Sequence, residues 1–211
     1  MDTKTVVPSL TNLSHFAEAI VRGLKSPVAN HRRQAEAPKE GRFPSFYYES
    51  FLSGVIDFVS SGMRGSALRE AVQKATDSKK ASYSACAEGI GKALEQLRPS
   101  RAARGRRVQV QVGDELLVKV RFHLDLTVQS GDRVLCFLHF SGERLTVTEL
   151  ALVETAVALA ARQIDHPGRI AVIYVRSGEV RYVDGEAALS DLRVARLRAI
   201  SVAYQEEWAN S

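Results

Sequence analysis

The spacing of apolar positions changes character once along the chain, near residue 107, from a helical period to a period of two. Before that point Leu13, Phe16, Ala17, Ile20, Val21 and Leu24 recur at helical spacing and predict a first helix after a loose lead-in over residues 1–12. Residues 25–42 lose the period, carry Pro27, Pro38 and Gly41, and predict an exposed loop with a basic cluster at His31, Arg32 and Arg33. Pro44 suits a first helical position, where its missing N–H has no partner to lose. Phe46, Tyr47, Phe51, Val55, Phe58 and Val59 then form one broad apolar face, read as core rather than as a platform for stacking bases. Two more helices follow. One is capped by Ser66, with Leu68, Val72 and Ala75 inward; the other starts at Ser78 or Ser82 and carries Cys86, Ile90, Ala93, Leu94 and Leu97. Residues 13–97 therefore predict an all-helical unit whose apolar stripes need partners.

Beyond residue 107, Val108, Val110 and Val112 alternate with Arg107, Gln109 and Gln111, and Gly113-Asp114 turns the chain into one long strand over 116–128. Ser130-Gly131-Asp132 turns it back into a strand over 134–141. Thr146 or Thr148 caps a helix running to Ile164, whose alanines (Ala151, Ala156, Ala158, Ala160, Ala161) permit close approach to a sheet. A buried-looking strand over 170–175, a turn at Ser177-Gly178, a short strand over 180–183 and a last helix from Ser190 complete the pattern. In that helix Leu192, Leu197, Ile200, Ala203, Tyr204 and Trp208 point inward. The order is β-β-β-α-β-β-α after a run of helices, an α/β fold in which a mixed sheet is flanked by helices. It implies a helical domain over 1–97, an arginine-rich linker over 98–107 and an α/β domain over 108–211.

Composition narrows the class. With 45% hydrophobic residues the chain can bury a proper core. No run approaches the roughly 20 apolar residues that span a bilayer, and the N-terminus lacks the layout of a signal peptide. The expectation is a cytoplasmic protein with no membrane partner. Cys86 and Cys136 show neither CxxC nor zinc-ligand spacing and read as buried small hydrophobes. Charge is uneven: residues 1–107 hold 18 Lys+Arg against 10 Asp+Glu, a net of +8, and residues 108–211 hold 11 against 14, a net of −3. Five arginines, Arg98, Arg101, Arg104, Arg106 and Arg107, fall within 98–107 with no acid among them. Guanidinium groups at that density suit phosphate contacts, whose formation releases counterions; a solvated tether is the competing reading.

One carboxylate invites a chemical reading. Asp125 alternates with Leu124 and Leu126, so it points away from the face that they bury. FHLD at 122–125, CFLHFSG at 136–142, the following helix and the last strand pair resemble the core of the PD-(D/E)xK nuclease-like (restriction-endonuclease-like) superfamily, in its RecB-type branch, over residues 108–184. The resemblance implies a metal-binding aspartate at Asp125 and an acid-x-lysine element at 137–139. Here Phe137 takes the acidic position and His139 the lysine position. Phenylalanine cannot ligate Mg²⁺, a hard cation that takes oxygen ligands, so the implied site is degenerate. Glu115, Asp132, Glu149 and Glu154 are the relocated ligands open to it, Glu154 the best placed. Lys119, Arg121, His123 and Thr127 share the alternation of Asp125 and with His139 would make a basic surface. The competing reading is a solvated sheet face with Asp125 paired to Arg121 or His123.

The expected function is therefore that of a non-catalytic, nucleic-acid-associated or complex-forming protein with no cofactor. DNA is the favoured nucleic acid. The residues assigned to bind it are Arg98, Arg101, Arg104, Arg106, Arg107, Lys119, Arg121, His123, Arg32 and Arg33. Two alternatives stand: a divergent Mg²⁺-dependent DNA nuclease using Asp125, His139 and Glu154, and an adaptor that docks a protein partner through its helical domain.

Overall fold

The computed structural model describes residues 6–37 and 47–211. Helix α1 (Leu10–Val21) opens on Ser9, whose hydroxyl accepts from Asn12 N at 3.2 Å. α2 (Val28–Glu36) occupies the segment expected to be a loop. α3 (Glu49–Ser60), α4 (Ala67–Gln73) and the long α5 (Asp77–Leu97) follow; Pro44 and Phe46 lie outside the described residues. Then come β1 (Pro99–Arg104), β2 (Arg107–Val112), β3 (Glu115–Arg121), β4 (Leu124–Val128), β5 (Arg133–His139), α6 (Val147–Gln163), β6 (Arg169–Tyr174), β7 (Glu179–Tyr182), α7 (Gly185–Ala188) and α8 (Asp191–Asn210). Among the described residues no helix is long and apolar enough to cross a membrane.

The main sheet has the order β1-β4-β5-β6-β7. β1, β4 and β5 pair antiparallel, β5 and β6 pair parallel across the α6 connection, and β7 returns antiparallel on β6. β2 and β3 form a separate two-stranded ribbon. Each face of the main sheet carries its own apolar core. On one, Leu135, Phe137, Val172 and Tyr174 meet α1, α6, α8 and the inward valines of the ribbon. On the other, Leu124, Leu126, Val134, Cys136, Leu138 and Ile173 meet α3 and α5. Strands buried on both faces read as nearly continuous apolar runs, which is the pattern of β5, VLCFLH.

Two expectations are corrected here. Residues 98–107 are not a tether. Arg98 turns the chain out of α5 in the left-handed conformation (φ 49°), and Pro99–Arg104 pairs with β4 as an edge strand, burying Pro99 and Ala102. Nor are 116–128 one strand. The chain leaves the sheet for the ribbon at Gly105-Arg106 and re-enters it at Phe122-His123, and the two crossings are bonded together by Phe122 N to Arg106 O (2.8 Å) and Gly105 N to His123 O (3.2 Å). A Cβ at residue 105 would sit 2.5 Å from Phe122 O, so glycine is needed for this close approach. The helices of residues 1–97 contribute to both cores and share them with residues 108–211.

Candidate functional site

Asp125 sits on β4 opposite Leu135, on the same face of the sheet as Phe137 and His139. Arg133, two residues before Leu135 on β5, bonds both carboxylate oxygens of Asp125; its Nε is 3.3 Å from Oδ1, and its Nη2 contacts Oδ2. His166, in the turn before β6, brings Nε2 to 3.6 Å from Oδ1. Its Nδ1 accepts from Gly168 N at 3.2 Å, so in the neutral ring Nε2 carries the proton and faces the carboxylate. That nitrogen is buried with no hydrogen bond of normal length, and the 3.6 Å approach to Asp125 is an electrostatic contact. Neither expected partner of Asp125 is correct: Arg121 turns to Glu49, and the ring of His123 accepts from Leu138 N at Nδ1 (3.0 Å).

The other members of the implied metal site do not converge on Asp125. Phe137 is buried in the core. His139 lies four residues beyond Leu135, roughly 13 Å along β5 at ~3.3 Å per residue. Its Nε2 is 2.8 Å from Glu143 O, and its ring packs edge-on to Tyr174. Burial lowers its pKa, partly offset by the bond to Glu143 and the charge of Glu149. Glu154 is buried on α6 between Arg181 (2.9 Å) and Arg193 (3.1 Å) and ties α6 to β7 and α8. Glu149 accepts from Thr146 N at 2.9 Å in the capping box of α6. Glu115 pairs with Arg198, and Asp132 accepts from Ser130 in an exposed turn. Each relocated-ligand candidate thus has a structural partner. Among the described residues no group of three or more His, Cys, Asp or Glu is placed to hold a metal ion. A single carboxylate already matched by a guanidinium does not fit Mg²⁺.

The basic residues divide into two sets. Arg104 donates to Glu49 O (2.7 Å) and Ser53 Oγ (2.8 Å), and its guanidinium, with that of Arg121, closes on the Glu49 carboxylate. Arg32 binds Glu36, Trp208 O and Ser211 O, and Arg33 binds Asn30, so both belong to the packing of α2. His123 is withdrawn from any surface role: burial, with the nearby charges of Arg121 and Arg104, pushes its pKa down to about 3. The second set is Arg98, Arg101, Arg106, Arg107 and Lys119. All are exposed, and among the described residues their side chains make no ion pair or hydrogen bond. Lys119 and Arg121 belong to the ribbon and not to the strand that carries Asp125, which corrects the single basic surface expected along 116–128.

Sequence reasoning passed over Arg133, His166 and Glu49. Arg133 had a signal, because it follows a tight turn eight residues after Asp125 and falls on the same face of the hairpin. His166 had none, since its place is fixed by the parallel approach of β6 to β5. Compared with known proteins, the chain matches no family model and no curated protein.

Proposed function

We propose that this chain is a non-cleaving nucleic-acid-binding protein built on a PD-(D/E)xK-like core, with DNA as its partner. The observation that carries this reading is the row of exposed cations Arg101, Arg106, Arg107 and Lys119 along β1 and the ribbon, with Arg98 at the other end of β1, whose side chains make no ion pair or hydrogen bond among the described residues. Cations held near one another repel unless an anion is brought to them, and phosphates answer that charge. The order α5-β1-β4-β5-α6-β6 once the inserted β2–β3 ribbon is set aside, with α5 and α6 on opposite faces of the sheet, supports the nuclease-like core. Cleavage is left out because Asp125 is matched by Arg133 and Phe137 offers no oxygen.

Two measurements test it. Incubation of linear, circular and single-stranded DNA with Mg²⁺ or Mn²⁺ is expected to give no product; turnover that disappears in Asp125→Ala would mean a metal-dependent nuclease instead. Binding is expected to weaken steeply with salt. Replacing Arg101, Arg106 and Arg107 together by alanine should lower affinity and reduce the log–log salt slope by about 3, at about 0.9 for each phosphate no longer neutralised. Absence of binding at low salt would favour the adaptor reading, in which the helices of residues 1–97 dock a protein partner.

A further inference from the structure

The β2–β3 ribbon has two unlike faces. Val108 pairs with Val120 and Val110 with Val118, all buried against the helices; on the reverse face Arg107 pairs with Arg121 and Gln109 with Lys119. Both edges of the ribbon are occupied. Gln163 of α6 takes Gln111 N (3.1 Å) and gives to Gln109 O (3.0 Å) along β2, while Lys119 N donates to Pro8 O (2.8 Å) along β3. Among the described residues a strand-adding partner therefore has no edge to pair with, and the polar face is the one left uncovered around Arg107, Gln109 and Lys119.

We propose that this face lies in the major groove of duplex DNA, with the Gln109 amide reading a base edge between Arg107 and Lys119 while Arg101 and Arg106 hold the flanking phosphates. The proposal rests on the nucleic-acid reading above and gives it a partner and a mode. Three observations carry it. The first is chemical: Gln109 is exposed and its side-chain amide makes no hydrogen bond among the described residues, whereas the Gln111 amide is spent on Gly113 O (2.8 Å). A free glutamine amide can pair bidentately with adenine N6 and N7, and arginine or lysine with guanine O6 and N7. The second is electrostatic: Arg107 stands directly opposite Arg121, and like charges in that relation destabilise a ribbon unless an anion lies over them. Glu49 answers the Arg121 end, and Glu115 is turned to Arg198, so no carboxylate faces Arg107, Gln109 or Lys119 among the described residues. The third is dimensional: strands ~4.8 Å apart with six residues at ~3.3 Å each make a strip that a B-form major groove about 12 Å wide admits.

The same features set the partner apart from other nucleic acids. The major groove of duplex RNA is too deep and narrow for side chains to read. The ribbon face carries no aromatic ring on which single-stranded bases could stack.

The test uses the full chain. Affinity for randomised duplex DNA and duplex RNA of equal length is measured by fluorescence anisotropy at about 50 mM and about 200 mM salt, and preferred sequences are selected from a randomised DNA pool. The wild type is expected to prefer DNA and to enrich a short motif. Gln109→Ala is expected to lose roughly tenfold of the discrimination at one position of that motif. Arg101→Ala with Arg106→Ala is expected to weaken every duplex alike. If Gln109→Ala enriches the same motif with the same discrimination, or duplex RNA binds as tightly as DNA, the placement in the groove is overturned while the nucleic-acid reading stands. If the wild type binds no nucleic acid at the lower salt, both are overturned.

Discussion

The role of Asp125 is decided by what surrounds it. A carboxylate on a sheet serves a cation only while its oxygens are available, and Arg133 occupies both. His123 shows the same dependence with a measurable consequence. Its Nδ1 accepts the Leu138 N–H and must stay unprotonated to do so. Burial holds its folded pKa at about 3, whereas the unfolded chain takes the proton near 6.5. Between those values the unfolded state binds more protons, so stability is complete above the unfolded pKa and falls as pH drops through the window, by at most about 1.4 kcal/mol per pH unit. His31 and His139, also lowered chiefly by burial, act with the same sign. Thermal melts between about pH 7 and about pH 5 should therefore show a smaller loss of Tm for His123→Gln, whose amide oxygen can accept the same N–H without titrating. An equal loss in variant and wild type would remove His123 as the source.

At the scale of elements, packing separates what the pattern exposes from what it hides. α5 crosses the β6–β7 turn so closely that a Cβ at Gly89 would lie 2.1 Å from Val175 O and 2.6 Å from Arg176 O, backbone atoms that cannot swing aside. Gly89→Ala should cost about 1–3 kcal/mol or more from overpacking. Gly91→Ala in the same helix meets nothing within 4 Å and should stabilise by about 0.5–1 kcal/mol. Denaturant melts of the two variants check both signs. Neither glycine is marked in the sequence, where both only weaken a helical pattern. α6 was legible because Thr146 offers a cap ahead of a long apolar, alanine-rich run, and the shared face of Asp125, Phe137 and His139 was legible from alternation along the two strands of the hairpin. α2 was hidden: only Val28 and His31 turn inward, and the helix is held by tertiary contacts, His31 Nδ1 to Tyr204 Oη at 3.2 Å and Arg32 to Trp208 O at 3.1 Å. The break at Phe122-His123 was hidden because alternation runs unchanged through the crossing from ribbon to sheet. β1 was hidden because its arginines outweigh the two positions it buries, Pro99 and Ala102.

For the molecule as a whole, the shift in period near residue 107 falls among the strands that follow α5 and is not a seam between cores. The face of the main sheet formed by Leu124, Leu126, Val134, Leu138, Ile173 and Val175 is covered by α3 and α5, and the opposite core draws Leu10, Leu13, Phe16 and Val28 from α1 and α2. Removing residues 1–97 therefore strips one face of the sheet entirely and thins the other. Six large apolar side chains returned to water at about 1.5–3 kcal/mol each match or exceed a typical domain stability of about 5–15 kcal/mol. A fragment of residues 98–211 is expected to lack a cooperative thermal transition, to bind a hydrophobic dye and to show poorly dispersed amide resonances, whereas the full chain melts in one step. Adding residues 1–97 as a separate polypeptide should restore the transition if the two pieces still find one another, because the missing surface is then supplied in trans. A fragment of 98–211 that melts cooperatively without dye binding would show instead that the α/β portion carries a sufficient core of its own and that the helices are an independent domain laid upon it.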